Sequence, residues 1–292
     1  MTMLIKGGRI HTMTGQGTFT GDILVRGGRI AAVDAHIELA ADLSPCVLDA
    51  SGLTILPGLI DPHIHDGAET DPGILGSPHA AGVTTGLLWP EDEGRCTILT
   101  QERTQASGIY AVHPANYTDA QLHDRFLSLA EEGLRPACEI MDALACRRVL
   151  QIVHSSRVKA ILVHLSGCDE LAEAVALSGC PAVLGVTSTR AGSPWALANR
   201  LASLGVAVSL TCNYPGARLR HLPLCAALCV REGMDRERAL HMVTKAPAGL
   251  LSLSDAGCIA SGCRADLAIY DGDPLLLSTA HVMTISGGKI RH

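Results

Sequence analysis

Between residues 135 and 211 the chain repeats one unit: a short apolar segment of strand length, then a stretch of helical character. The segments Arg135 to Ile140, Val158 to His164, Pro181 to Val186 and Gly205 to Thr211 follow one another at close to 24 residues each time. Asp169 to Leu177 and Pro194 to Leu204, lying between them, read as helices. Strand, helix and strand in such close succession predict parallel βαβ units, because a parallel partner is reached only through a crossover. Upstream, Leu53 to Ile60, Gly82 to Trp89 and Ser107 to His113 add three more strand-like runs. That makes seven, one short of a closed barrel, and the roughly 200 residues between the chain ends are fewer than the ~250 a typical barrel takes. The predicted fold class is therefore α/β, a trimmed TIM-like (β/α) barrel with one strand missing or disguised. A doubly wound open sheet is the alternative.

Both ends of the chain read as β. Met3 to Ile5, Asp22 to Val25 and Arg29 to Val33 are short apolar runs, with Arg26-Gly27-Gly28 as a hairpin turn signal between the last two. Asp266 to Tyr270 and Val282 to Ile290 repeat the pattern around Gly287-Gly288. Neither glycine pair is followed by a helix, so neither reads as a phosphate cradle. Asp235 reads as the N-cap of a helix beginning Arg236-Glu237-Arg238. The expected organisation is a small β-sandwich domain from residues 1–52 plus 255–292, beside a barrel at 53–254. Two unrelated flaps are the plainer alternative.

The run Leu53 to Ile60 continues through Asp61-Pro62 into His63-Ile64-His65. Alternate residues of a strand point to one side, so an extended chain projects both imidazoles past the strand's carboxyl end. Imidazole is the commonest metal-binding side chain, and two supply half of a tetrahedral zinc shell. A bare His-x-His arises easily by chance in a chain with 13 His; its place at the end of an apolar strand gives it weight.

In its full setting, Pro57-Gly58-Leu59-Ile60-Asp61-Pro62-His63-Ile64-His65 resembles the first-strand signature of the amidohydrolase superfamily. Gly21 to Val33 resembles that family's amino-terminal hairpin. Ala239-Leu240 with Thr244 to Ala248 resembles its last barrel helix, and Gly262 to Pro274 the returning strand of its small domain. The resemblance covers roughly residues 1–90 and 205–292, and the middle poorly. It implies a metal-dependent hydrolase acting on a carbon–nitrogen, non-peptide amide bond of a small molecule, with a divalent metal, zinc, as cofactor. It also implies His164 as the sixth-strand metal ligand; a solvated loop histidine is the alternative reading.

Two family positions differ. Where a fifth-strand His would stand, the chain reads Pro136-Ala137-Cys138-Glu139; where a last-strand Asp would stand, it reads Leu210-Thr211-Cys212-Asn213-Tyr214-Pro215. Amide hydrolysis needs a group that takes a proton from water and returns one to the leaving nitrogen, so that Asp matters. Cys138 and Cys212 are candidate thiolate ligands, or small buried residues that fill space. Asp66, Glu91 and Glu139 are candidate substitute carboxylates, or solvated loop acids. Arg218, Arg220 and His221 are candidate contacts for an anionic substrate, or surface residues. Two function classes follow: a divergent hydrolase, or a catalytically inactive relative serving as a binding or assembly module. Weak hydrolysis is expected, raised by Asp at position 212 or 213.

A net charge of −6 argues against nucleic-acid or anionic-membrane partners. No apolar run reaches the ~18 residues of a membrane span, and the amino terminus lacks a signal-peptide layout. Eleven Cys without Cys-x-x-Cys spacing suit reduced thiols in the cytoplasm. A small-molecule substrate is the expected partner, and a homo-oligomer is left open.

Overall fold

The structure, a computed structural model, describes residues 2–39, 45–65, 75, 80–101, 104–186 and 192–291. The apolar run Leu53 to Ile60, expected as one barrel strand, serves two sheets. Thr54–Pro57 is β5 of a sheet made from the chain ends, and Leu59–His65 is β6, the first barrel strand. Gly58 stands at the division. A Cβ there would lie 2.2 Å from Thr84 Oγ1, so only glycine lets the two sheets meet so closely.

The terminal sheet joins β1 (Thr2–His11), β2 (Thr18–Arg26), β3 (Arg29–Asp34) and β5 to β14 (Leu267–Tyr270), β15 (His281–Ser286) and β16 (Lys289–Arg291). The order is β16-β15-β14-β5-β1-β2-β3, with β4 (Cys46–Asp49) also on β1. Hydrogen bonding runs through all eight strands as one sheet, and two separate sheets are not distinguished. Ile23 and Ile269, from opposite ends of the sequence, are buried in the same apolar cluster. The turns Gly27-Gly28 and Gly287-Gly288 take positive φ, as a two-residue hairpin requires. They abut each other: a Cβ on Gly28 would sit 2.8 Å from the Gly287 carbonyl oxygen.

The second sheet runs β6, β7 (Val83–Trp89), β8 (Gly94–Thr100), β9 (Thr104–Val112), β10 (Arg135–Glu139), β11 (Ile161–Val163), β12 (Ala182–Gly185) and β13 (Val208–Thr211), each beside the next. The end strands return to one another: His65 N donates to the Tyr214 carbonyl at 3.0 Å, and Ile64 bridges Tyr214 in parallel. The result is a nearly closed, TIM-like barrel. The strand absent from the sequence reading is β8, which pairs antiparallel to both β7 and β9. Its Cys96, Ile98 and Leu99 are buried. Because β7, β8 and β9 follow as a meander, no helix punctuates them, and the barrel closes in less chain.

Helices α1 (Asp119–Glu131), α2 (Ala143–Ser156), α3 (Ala172–Ser178), α4 (Pro194–Ser203), α5 (Leu222–Arg231), α6 (Arg236–His241) and α7 (Lys245–Leu250) follow the later strands. Thr118 and Gln121 form a capping box on α1, and Asp235 caps α6 by accepting from Arg238 N. The core lies in two layers. Leu162, Leu184 and Leu210 point outward to Phe126, Val149 and Leu201 of the helices. Ala137, Ile161, Val163 and Val183 point inward, into the barrel.

Candidate active site

Strand alternation decides which side chains reach the barrel interior. On β10, Ala137 points inward, so Glu139, two residues on, shares its side while Cys138 faces the helices. On β13, Val208, Leu210 and Cys212 share the outer side, leaving Thr211 inward. His164 follows β11, where alternation alone would place it outward with Leu162. Its φ of 69°, followed by φ 50° at Leu165, breaks the alternation. The buried ring turns back to within 4.9 Å of the His63 ring, centroid to centroid.

His63, His65 and His164 therefore converge, and they converge on Glu139. Their Nε2 atoms lie 2.9, 3.4 and 3.8 Å from Glu139 Oε1. Ligands held ~2.0–2.1 Å from a tetrahedral ion are about 3.3 Å apart, so these spacings bracket those of a metal shell. Among the described residues, His63, His65 and Glu139 each offer one ligand atom, and these three atoms lie within 4.8 Å of one another. His63 Nδ1 and His164 Nδ1 are buried without hydrogen-bond partners among the described residues. Three imidazoles and a carboxylate form the kind of donor set that zinc takes.

The electrostatics fit that use. Burial pushes the His63 imidazole below its ordinary value and carries His164 down to about 4, leaving both rings neutral at pH 7. Burial alone would raise Glu139, but the His63 hydrogen bond and the surrounding imidazoles hold its carboxyl at about 2. The cluster thus offers neutral nitrogens around one ionised oxygen.

Beneath the cluster, Asp61 is fully buried and fastens the barrel's closing edge. It accepts from Thr211 Oγ1 at 2.6 Å, Cys212 N at 2.9 Å and His63 N at 3.0 Å. Thr211 Oγ1 also lies 2.9 Å from the His63 carbonyl. Trp89 stands edge-on to His63, centroids 4.5 Å apart, and its Nε1 donates to the Pro62 carbonyl at 3.1 Å. The sequence reading missed Thr211 and Trp89 as site residues; a hydroxyl on the inward side of the last strand was the available signal for Thr211.

The two candidate cysteines do not join the cluster. Cys138 is buried against the helix layer, where burial first and then Cys180 push its thiol up. Cys212 faces Cys225, and its Sγ lies 3.7 Å from the Leu219 carbonyl. Neither thiol reaches the histidine cluster, because both sit on the outer side of their strands. Glu91 is exposed on the turn after β7. Asp66 lies outside the described residues. Arg218 is exposed, and Arg220 and His221 line a separate cavity of about 340 Å³ beside Leu275 to Leu277. Asn213 has φ 54°, and its Nδ2 donates to the Val186 carbonyl at 3.1 Å.

The chain is similar to known proteins over part of its sequence and in its fold. A profile of the Amidohydrolase family matches residues 227–292. A dihydroorotase of Geotalea daltonii is 40% identical over 105 residues, which cover 36% of this chain and 23% of that enzyme's length. An imidazolonepropionase of Salinispora arenicola is 26% identical over an alignment covering 77% of this chain and 79% of the relative. Among solved structures, an amidohydrolase from Thermotoga maritima superposes with a TM-score of 0.82 at 19% identity, covering 99% of this chain and all of the other.

Proposed function

Since the chain belongs to the amidohydrolase superfamily, we propose that it is a metal-dependent hydrolase cleaving a carbon–nitrogen, non-peptide amide bond of a small molecule. The observation that carries this reading is the convergence of His63, His65 and His164 on Glu139 at the carboxyl end of the barrel, where such barrels hold their active sites. These four side chains would hold a divalent cation, and zinc is the one the donor set fits best. Such an ion, when bound, polarises a carbonyl and acidifies water. Asp61 orients His63 by accepting its backbone N–H. Trp89 covers one edge of the His63 ring and keeps water from it. Dihydroorotase and imidazolonepropionase, the names its relatives carry, direct attention to cyclic amides as substrates.

The same proposal keeps a terminal β domain, residues 1–52 plus 255–292 with β5 joined to its sheet, beside a barrel that begins at β6 and ends near residue 254, and places the protein in the cytoplasm. No helix among the described residues is long and apolar enough to cross a membrane. A second reading, a binding or assembly module without turnover, is favoured by one observation: no carboxylate stands at Cys212 or Asn213 on the last strand. The test is metal analysis of the purified protein, followed by a screen of zinc-loaded protein against dihydroorotate, imidazolonepropionate and related cyclic amides. Bound metal with turnover that disappears in His63→Ala supports the hydrolase. Bound metal without turnover on any amide supports the module, and absence of metal binding overturns both the ligand assignment and the hydrolase.

A further inference from the structure

A second cavity, of about 650 Å³, opens at the other end of the barrel strands. Arg135 begins β10, Lys159 precedes β11, and Val206 leads into β13, so the cavity lies on the barrel's amino-terminal face. Strand β10 carries Arg135 at one end and Glu139 at the other, about 13 Å away at ~3.3 Å per residue. The two sites share a strand but no side chain.

Five basic residues line this cavity: Arg135, Lys159, Arg238, His241 and Lys245. No Asp or Glu among the described residues lines it. The guanidiniums are held by neutral acceptors. Arg135 Nη2 donates to the Leu250 carbonyl and Arg238 Nη2 to the Ala202 carbonyl, each at 2.6 Å. Lys245 Nζ lies 3.7 Å from Cys258 Sγ. None of the four permanent cations enters an ion pair among the described residues. With both guanidiniums anchored and none of the four paired to an acid among the described residues, they concentrate positive charge that an anion would relieve.

His241 registers this field: burial lowers its imidazole first, and Lys245 and Arg238 lower it further. Between the charges the wall is apolar, with Val206, Met242 and Leu250. An adjoining recess of about 730 Å³ shares Arg238, His241 and Lys245. Its carboxylate, Glu237, is turned to His11 and Thr18 at 2.8 and 3.0 Å, so it does not neutralise the cations.

We propose that this cavity binds a small organic dianion, with a phosphate monoester as the head group and an apolar or aromatic body. Two Arg forks match phosphate oxygens, Lys159 and Lys245 add point charge, and the apolar wall accepts the body. The proposal does not rest on the hydrolase reading, since none of its residues belongs to the histidine cluster.

The test is calorimetric titration of the full chain with 1-naphthyl phosphate, with 1-naphthol and inorganic phosphate as the separated body and head, and 1-naphthoate as a monoanion. The phosphate ester is expected to bind one per chain, at least tenfold tighter than any of the other three, and to weaken as salt rises. Lys159→Ala and Arg238→Ala should each weaken it severalfold, and His63→Ala should leave it unchanged. Lys159 is exposed, so its variant keeps the test decisive if Arg238→Ala fails to fold. Absence of binding, equal affinity for 1-naphthol, indifference to Lys159→Ala, or loss in His63→Ala would each overturn the proposal.

Discussion

Restoring an acidic residue to the last strand is a sharper test than the sequence alone suggests, because positions 212 and 213 are not equivalent. Cys212 points away from the cluster into the helix layer, fully buried. Cys212→Asp would put a carboxylate there beside Asp61, which already accepts the Cys212 N–H. Asp61 itself gives the scale. Even with three hydrogen bonds, burial raises it from 3.8 to about 6. At about 1.4 kcal/mol per tenfold, that is roughly 3 kcal/mol at neutral pH. An Asp at 212, with fewer donors and a like charge nearby, should cost at least that, a large part of the ~5–15 kcal/mol a domain has. Its folded pKa would be raised, so the deficit should be absent below about pH 4 and grow as pH rises through 6. Asn213→Asp loses the bond to the Val186 carbonyl, worth about 1–2 kcal/mol, and keeps a residue type that tolerates positive φ. Urea denaturation at pH 7 and pH 4, with hydrolysis assays on zinc-loaded protein, separates the two. Asn213→Asp should raise hydrolysis and Cys212→Asp should not. A Cys212→Asp protein as stable as wild type at pH 7 would refute the assignment of that side chain to the outer layer.

Glu139→Gln should lower zinc affinity at least about tenfold by removing the one anionic ligand, measured by competition with a chromogenic chelator; unchanged affinity sinks the four-ligand assignment. In chelator-treated protein, His11, His63, His164, His241 and His281 are all held below their ordinary values, chiefly by burial. The fold therefore binds fewer protons than the unfolded chain. Stability should fall as pH drops from 7 to 5, with Asp61 and Asp266, both raised, opposing only in part; a urea midpoint that rises over that interval contradicts this. Gly58→Ala should cost about 2–3 kcal/mol through its clash with Thr84, and Thr84→Ala added to it should recover part of the loss in thermal unfolding.

Much of the barrel was legible because four successive units, from β10 to β13, keep one period, and each inner strand is apolar on both sides. Strand β8 was not, since an antiparallel return carries no helix to mark it and Pro90 to Glu93 reads as an ordinary loop. The split at Gly58 was hidden by continuous hydrophobicity across Leu53 to Ile60, which two different sheets bury equally well. At the site, His63 and His65 stood out by spacing. His164 was reached through resemblance, and only the left-handed backbone at 164 and 165 explains how its ring comes inward. The two cysteines were read by alignment position, whereas strand parity gives the inner place to Glu139 and Thr211.

The closing edge between β6 and β13 has a consequence for how the protein acquires its chemistry. The β7–β8–β9 meander pairs residues close in sequence and is expected to form early, whereas Asp61 and Thr211 meet across 150 residues and bear the larger loop-closure entropy. His63 hangs from that late junction. Transient opening there would part His63 from Thr211 while the rest of the barrel stayed folded, so a half-zipped barrel is a bystander until its last pair of strands engages. Amide exchange at Cys212 and His65, faster than at β10 or β12, would be the signature of that order.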